Sequence, residues 1–285
     1  MVVTGVARMG AARLGAARLG AAICGAMLLL WRRVRRGRVL SAEYVATALA
    51  APLLGVMPHL VTRGRPAGAA LAYLEVNADR FSEVIRTIRT AVVLAGVARP
   101  WRTIGVVAGA RGAGGTTLAT NLALALGQFE LVLLIGADAG EPGVADWFAL
   151  DRAAPGLSEL LAGAAPADIC VQHHAASGIA VLPPGAREPG WQVTSCAACA
   201  AALAQLAQVA PRFDRIVVDV GGDTAAWAAG CDVLVCVVTP TAARLPLAQD
   251  ELARLRQAGA RVLGVVVNLV DASPRAATWH TEARP

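Results

Sequence analysis

The chain has 285 residues, 56% hydrophobic and 16% charged, with a net charge of +6 carried by 26 basic residues that are all arginine. That length is enough for one sizeable α/β core plus an appendage. Residues 1–38 hold eight arginines and no acid, which points to a membrane surface or another polyanion. No helix-turn-helix or other base-reading motif accompanies them, so nucleic acid is not an expected partner.

In chain order, GAARL-like pentads come first, followed by an apolar run of about 13 residues ending at Trp31 and then an arginine cluster. The run is shorter than the ~20 residues needed to cross a bilayer. Extended back to about residue 14, it makes a marginal membrane segment over 14–31. Its following arginines fit the cytoplasmic side, and Trp31 fits the interface. An interfacial helix and the shortened start of a longer membrane protein are the alternatives. Residues 39–75 read as a connector, with a short helix over 41–50, the stretch LGVMPHL at 54–60 and a Gly/Pro loop at 64–68. An amphipathic helix is expected over 80–97.

From there short apolar strands (103–108, 131–135, 179–182, 215–220, 233–238 and 261–267) alternate with helical stretches (115–127, 156–162, 195–209 and 245–258). This alternation predicts a doubly wound α/β domain over 76–271, its parallel sheet covered on both faces. Residues 272–285 read as a polar tail. Cys231 and Cys236 lie in or beside an apolar run and read as reduced core thiols. Cys196 and Cys199 form a lone CxxC that, even with His173 and His174, matches no standard zinc spacing. Its plainer reading is small residues on a helix face.

The chemistry concentrates in IGVVAGARGAGGTTLATNLA (residues 104–123), a strand, a glycine-rich loop and a helix start. The spacing is that of a phosphate-binding P-loop, G-x-x-x-x-G-K-[ST], in which backbone N–H groups and the helix terminus hold phosphates. Gly109, Arg111, Gly112, Ala113, Gly114, Gly115, Thr116 and Thr117 are the candidate ATP or ADP contacts. Gly115 occupies the lysine position, and the chain contains no lysine to stand in. Losing that charged hydrogen bond weakens nucleotide binding by about 10- to 100-fold. Arg111, inside the loop, is a candidate replacement, though its longer fork does not simply fill a lysine's place. Asp138 and Asp219, each at or just past the end of an apolar strand, are the candidate catalytic acids. With Thr116 they are also candidate Mg²⁺ ligands.

These motifs resemble, over about residues 32–271, the bacterial tyrosine autokinases of polysaccharide assembly, within the P-loop MinD/ParA-like superfamily. LGVMP at 54–58, GLSELLAG at 156–163, VLPPG at 181–185 and GARVLGVVVN at 259–268 fall in the family's order. Glu83, Arg86 and Arg89 reproduce its E-x-x-R-x-x-R motif, which in the family serves ring assembly; the i, i+3, i+6 spacing puts them roughly on one helix face. The resemblance implies a self-assembling ring at the cytoplasmic face of the inner membrane, partnered by polysaccharide co-polymerase and export proteins. Three departures stand against the family's chemistry. Gly115 replaces the lysine. The second motif, D-A-D-x-R-x-P, appears with Gly136, Asp138, Gly140 and Pro142. The third, D-x-P-P, appears as Asp219, Val220, Gly221 and Gly222. The acceptor tyrosine cluster is absent as well; Tyr44 and Tyr73 are the only tyrosines. The expectation is a degenerate, kinase-like regulator or scaffold of exopolysaccharide or capsule synthesis. The alternatives are an active Mg-ATP-dependent autokinase or ATPase, with Arg111 or a partner's residue supplying the charge, and a ParA/MinD-like positioning ATPase.

Overall fold

The computed structural model describes residues 39–59, 71–74, 79–97, 100–138, 143–185, 206, 212–221, 224–228 and 230–270. The expected membrane segment (14–31), the CxxC, the helix over 195–209 apart from Leu206, Gly140, Pro142, Gly222 and the tail lie outside them. Among the described residues no helix is long and apolar enough to cross a membrane.

The helices are α1 (Ala42–Ala48), α2 (Asp79–Ala95), α3 (Gly115–Leu126), α4 (Val144–Trp147), α5 (Leu157–Leu161), α6 (Ala167–Cys170), α7 (Thr224–Ala228) and α8 (Leu245–Gln257). The strands are β1 (Leu53–Pro58), β2 (Thr103–Ala108), β3 (Val132–Gly136), β4 (Gln172–His173), β5 (Ala180–Leu182), β6 (Arg215–Val220), β7 (Val233–Val238) and β8 (Val262–Val270). They form one sheet in the order β1-β8-β7-β2-β6-β3-β5-β4. All neighbours are parallel except β4, which pairs antiparallel with β5.

The strand order fixes which face each helix covers. The chain moves one way along the sheet from β1 to β2 and from β2 to β3, and the other way from β6 to β7 and from β7 to β8. Parallel crossovers are right-handed, so α2 and α3 cover one face and α7 and α8 the other. This is the doubly wound architecture expected from the alternation of strands and helices. Strands buried on both sides must be apolar throughout, and β3 and β7 are buried at every residue.

Almost all of α3 is buried, as befits a helix rich in Ala and Leu all round. It packs on β2, β3 and β6, with α2 beside it lying on β1. Helix α2 buries Phe81, Ile85, Ile88 and Val92, spaced as one helical stripe. Ile88 also sits over β1, where a side chain on Gly55 would meet its Cγ1 at 2.7 Å. The segment read as a connector therefore supplies the edge strand β1, in register with β8 from Leu53↔Val265 to Pro58↔Val270. Its lack of strict alternation in the sequence follows from its five half-buried positions.

Truncating Ile88 to alanine removes the plug between α2, β1 and the core. A loss of about 2–5 kcal/mol is expected, read as a lower urea midpoint with an unchanged slope.

Candidate nucleotide site

Strand β2 lies between β6 and β7 at the point where the winding reverses, the place where open α/β sheets bind ligands. Its chain leaves the sheet at Gly109, whose N–H donates to Val237 O at 2.8 Å, and re-enters regular structure as α3 at Gly115. Between them Gly112 and Gly114 take φ of +74° and +97°, conformations that L side chains rarely adopt. Gly114 is excluded from carrying a side chain a second way, since a Cβ would strike the Asn268 amide. That amide donates from Nδ2 to Ala113 O at 2.8 Å. Asn268, buried near the end of β8, thus holds the loop from the far side of β7. The sequence offered it only as the last letter of GVVVN.

The candidate acids converge beside this loop. The Thr116 hydroxyl hydrogen-bonds Asp219, whose carboxyl is 2% exposed. The Ala137 N–H donates to Asp219 O at 3.0 Å, and Asp138 follows it directly. A Cβ on Gly221 would come within 2.5 Å of Asp138 Cα, so the glycine standing where the family carries proline admits Asp138 to the site. Burial, and secondarily the charge of Asp138, push the Asp219 carboxyl from its ordinary 3.8 up to about 7, against the lowering effect of Thr116. Asp219 Oδ2 has no hydrogen-bond partner. A buried carboxylate oxygen without a partner is costly, and a divalent cation would satisfy it. The donor set of one hydroxyl and two carboxylates also suits Mg²⁺, which takes few protein ligands alongside phosphate oxygens and water. The described residues include no cluster of three or more His, Cys, Asp or Glu arranged to hold a metal by themselves.

Two departures from the kinase motifs have a structural footprint. A Cβ at Gly115 would lie 3.2 Å from Ala108 Cβ, so the start of a lysine side chain is tightly met by β2. A Cβ at Gly136 would lie 3.2 Å from Val144 Cβ and 3.3 Å from Pro184 Cδ. Apolar packing occupies the room an aspartate would need there.

The remaining candidates are placed as follows. Arg111 is exposed at the loop crest, and the Thr117 carbonyl accepts from Asn121 Nδ2 at 2.8 Å. Glu83 and Arg86 are exposed on α2, whereas Arg89 folds back onto its own chain. Its guanidinium lies 4.8 Å from the centroid of the Phe129 ring and donates to Ala125 O at 3.2 Å. Tyr73 is buried and bonded to Gln128, while Tyr44 is exposed. His174 packs against Phe148 and bonds Ser177, which is structural work. Cys236 is buried, with its thiol pushed up to about 12 by burial, and Cys231 is half-buried. Neither forms a disulfide. On the α8 side of the loop lies a cleft of about 890 Å³, lined by Arg111, Thr224, Asp250, Glu251 and Arg254 among others. Glu251 is 6% exposed and bonded by Thr224 and Arg254. Sequence reasoning did not find this cleft, because its residues are spread over three separate segments.

No protein-family model matches the chain, and no curated protein matches it. Solved structures do. The chimerical protein CapA2B2 superposes with a TM-score of 0.66 at 22% identity, covering 81% of this chain and 100% of its own. The kinase domain of Escherichia coli tyrosine kinase ETK gives 0.64 at 20%, covering 82% and 96%. The kinase domain of VpsO gives 0.55 at 27%, covering 69% and 100%. The chain thus has the fold of bacterial tyrosine-kinase domains, and the resemblance read from its motifs is borne out.

The Asp219 carboxyl makes stability depend on pH. Between 3.8 and about 7 the folded protein holds a proton that the unfolded chain has lost, so this group's contribution falls as pH rises and levels off above about 7. Replacing Asp219 with asparagine should remove that slope and leave the variant more stable than the parent at pH 7.5 by at most about 4 kcal/mol. Urea unfolding of both proteins at pH 5 and 7.5 measures it; parallel pH profiles would contradict the expectation.

Proposed function

We propose that the protein is a degenerate tyrosine-kinase-like component of exopolysaccharide or capsular polysaccharide synthesis and export. In this reading it works at the inner membrane by assembly rather than by phosphotransfer. The observation that carries the reading is Gly115. The loop around it keeps its glycine geometry, while the lysine position is a bare backbone pressed against Ala108. A lysine there neutralises β/γ charge during transfer, and no lysine exists anywhere in the chain. The packed-over Gly136 and the missing tyrosine cluster point the same way: charge neutraliser, one acid and acceptor are all gone.

Nucleotide in this reading is a structural ligand. The N–H groups of the loop and the positive end of α3 hold its phosphates. Thr116, Asp138 and Asp219 hold Mg²⁺, which would supply charge neutralisation between the phosphate oxygens and the two acids. Assembly uses the exposed Glu83 and Arg86 of α2. Arg89, committed to Phe129 and Ala125 O, shapes that helix's flank. Export and co-polymerase proteins are the partners.

A second reading, an active Mg-ATP-dependent autokinase or ATPase, draws on the intact Thr116–Asp219 pairing. Turnover separates the two. Purified full-length protein with Mg-ATP should release no phosphate above background and gain no phosphotyrosine. Turnover that disappears in Asp219→Ala would establish the enzyme instead. In the same assay series, Gly115→Lys should tighten Mg-ATP binding by about 10- to 100-fold, with Ala108 giving way by a few tenths of an ångström. In cells, loss of the gene or the Glu83→Ala/Arg86→Ala pair should change polysaccharide chain length or output; unchanged polymer would remove the polysaccharide assignment.

A further inference from the structure

The missing lysine leaves a question of charge that the arginines answer by their placement. Most well-placed ones are committed elsewhere. Arg102 donates to Phe213 O, Arg215 pairs with Glu130, Arg254 with Glu251, and Arg256 holds the carbonyls of Leu49 and Ala50. Arg244 is different. It stands at the start of α8, and its Nη1 donates to the carbonyl of Arg111, at the crest of the phosphate-binding loop. No carboxylate among the described residues pairs with it, and the first turn of α8 carries no acid. A guanidinium has five N–H donors in a fixed fork. One is used on the loop, which leaves donors for phosphate oxygens, the bidentate geometry in which arginine excels.

We propose that Arg244 is the cation that replaces the P-loop lysine, reaching the loop from α8 and neutralising the phosphates of a bound nucleoside di- or triphosphate. The inference rests on the nucleotide-binding part of the proposed function and names the residue that makes such binding possible. The lysine of an ordinary loop reaches its ligand from the helix start. Here that position is a glycine against β2, so the charge has to come from outside the loop. Arg244 is already docked on it. The same hydrogen bond steadies the crest, so charge and loop shape are supplied by one side chain. Arg111 itself is exposed and contributes mainly its carbonyl.

The test is calorimetric titration of the full chain with Mg-ADP, comparing the parent with Arg244→Gln, Arg244→Lys and Arg244→Ala. Glutamine keeps an N–H donor for the Arg111 carbonyl and loses the charge. Glutamine and alanine should each weaken binding by about 10- to 100-fold, and lysine by less than about fivefold. Gly115→Lys should gain more affinity in the Arg244→Gln background than in the parent, because the two charges replace each other; a purely structural role of Arg244 gives the same gain in both and overturns the inference. Parent-like affinity in Arg244→Gln overturns the inference alone. No binding of Mg-ADP by the parent up to millimolar concentration overturns it together with the nucleotide part of the proposed function. If the alanine variant fails to fold, the glutamine and lysine variants decide.

Discussion

The turn from a buried strand into a buried helix at residues 109–115 is the constraint on which the rest depends. β2 is flanked by strands on both sides, and α3 is held by the sheet and by α2 packed against it. The chain between them can neither swing outward nor add side chains at the tightest points. Several of its backbone groups are satisfied in place: Gly109 N–H by Val237, Ala113 O by Asn268, Arg111 O by Arg244. Loop residues are thereby tied to β7, β8 and the start of α8, three elements that come after β6 in the chain. A phosphate cradle made this way is a property of the whole winding.

The same constraint explains how the departures from a working kinase are accommodated. Gly115, Gly136 and Gly221 each sit where a Cβ would press on a neighbour: Ala108, Val144 and Pro184, or Asp138. In each case neighbouring atoms fill the space beside the bare backbone. Close-packed interiors behave in this way, because a gap forfeits dispersion contacts. The consequence at Gly221 differs in kind from the other two. There the approach of Asp138 brings two carboxyls together and contributes to the raised Asp219 proton affinity.

Much of this was legible in the chain because the signals are local. Six apolar runs gave six of the eight strands to within about three residues, and the glycine spacing placed the loop between β2 and α3. β1 was missed because its residues are half-buried and do not alternate, and its partner β8 is at the other end of the sequence. The two-residue β4 and the short helices α4, α6 and α7 fall below the length at which periodicity speaks. In the site, the loop glycines, Thr116, Asp138 and Asp219 were readable from motif spacing. Asn268, Arg244 and the Glu251 cleft were not, because each acts on the loop across a long sequence separation. Arg89 was readable as a helix-face charge. Its attachment to Phe129 depends on how α2 lies over α3, which no helical spacing reveals.

The pairing of β1 with β8 has a consequence for synthesis. Among the described strands, the first in sequence is the partner of the last. Domains form as units while the chain emerges at about 5–20 residues per second, yet β1 has no partner until β8, at Val262–Val270, is out. Through that interval β1 is an unpaired apolar strand in search of hydrogen bonds, the kind of segment that recruits chaperones or wrong partners. Pairings of such long sequence separation also slow the final closure.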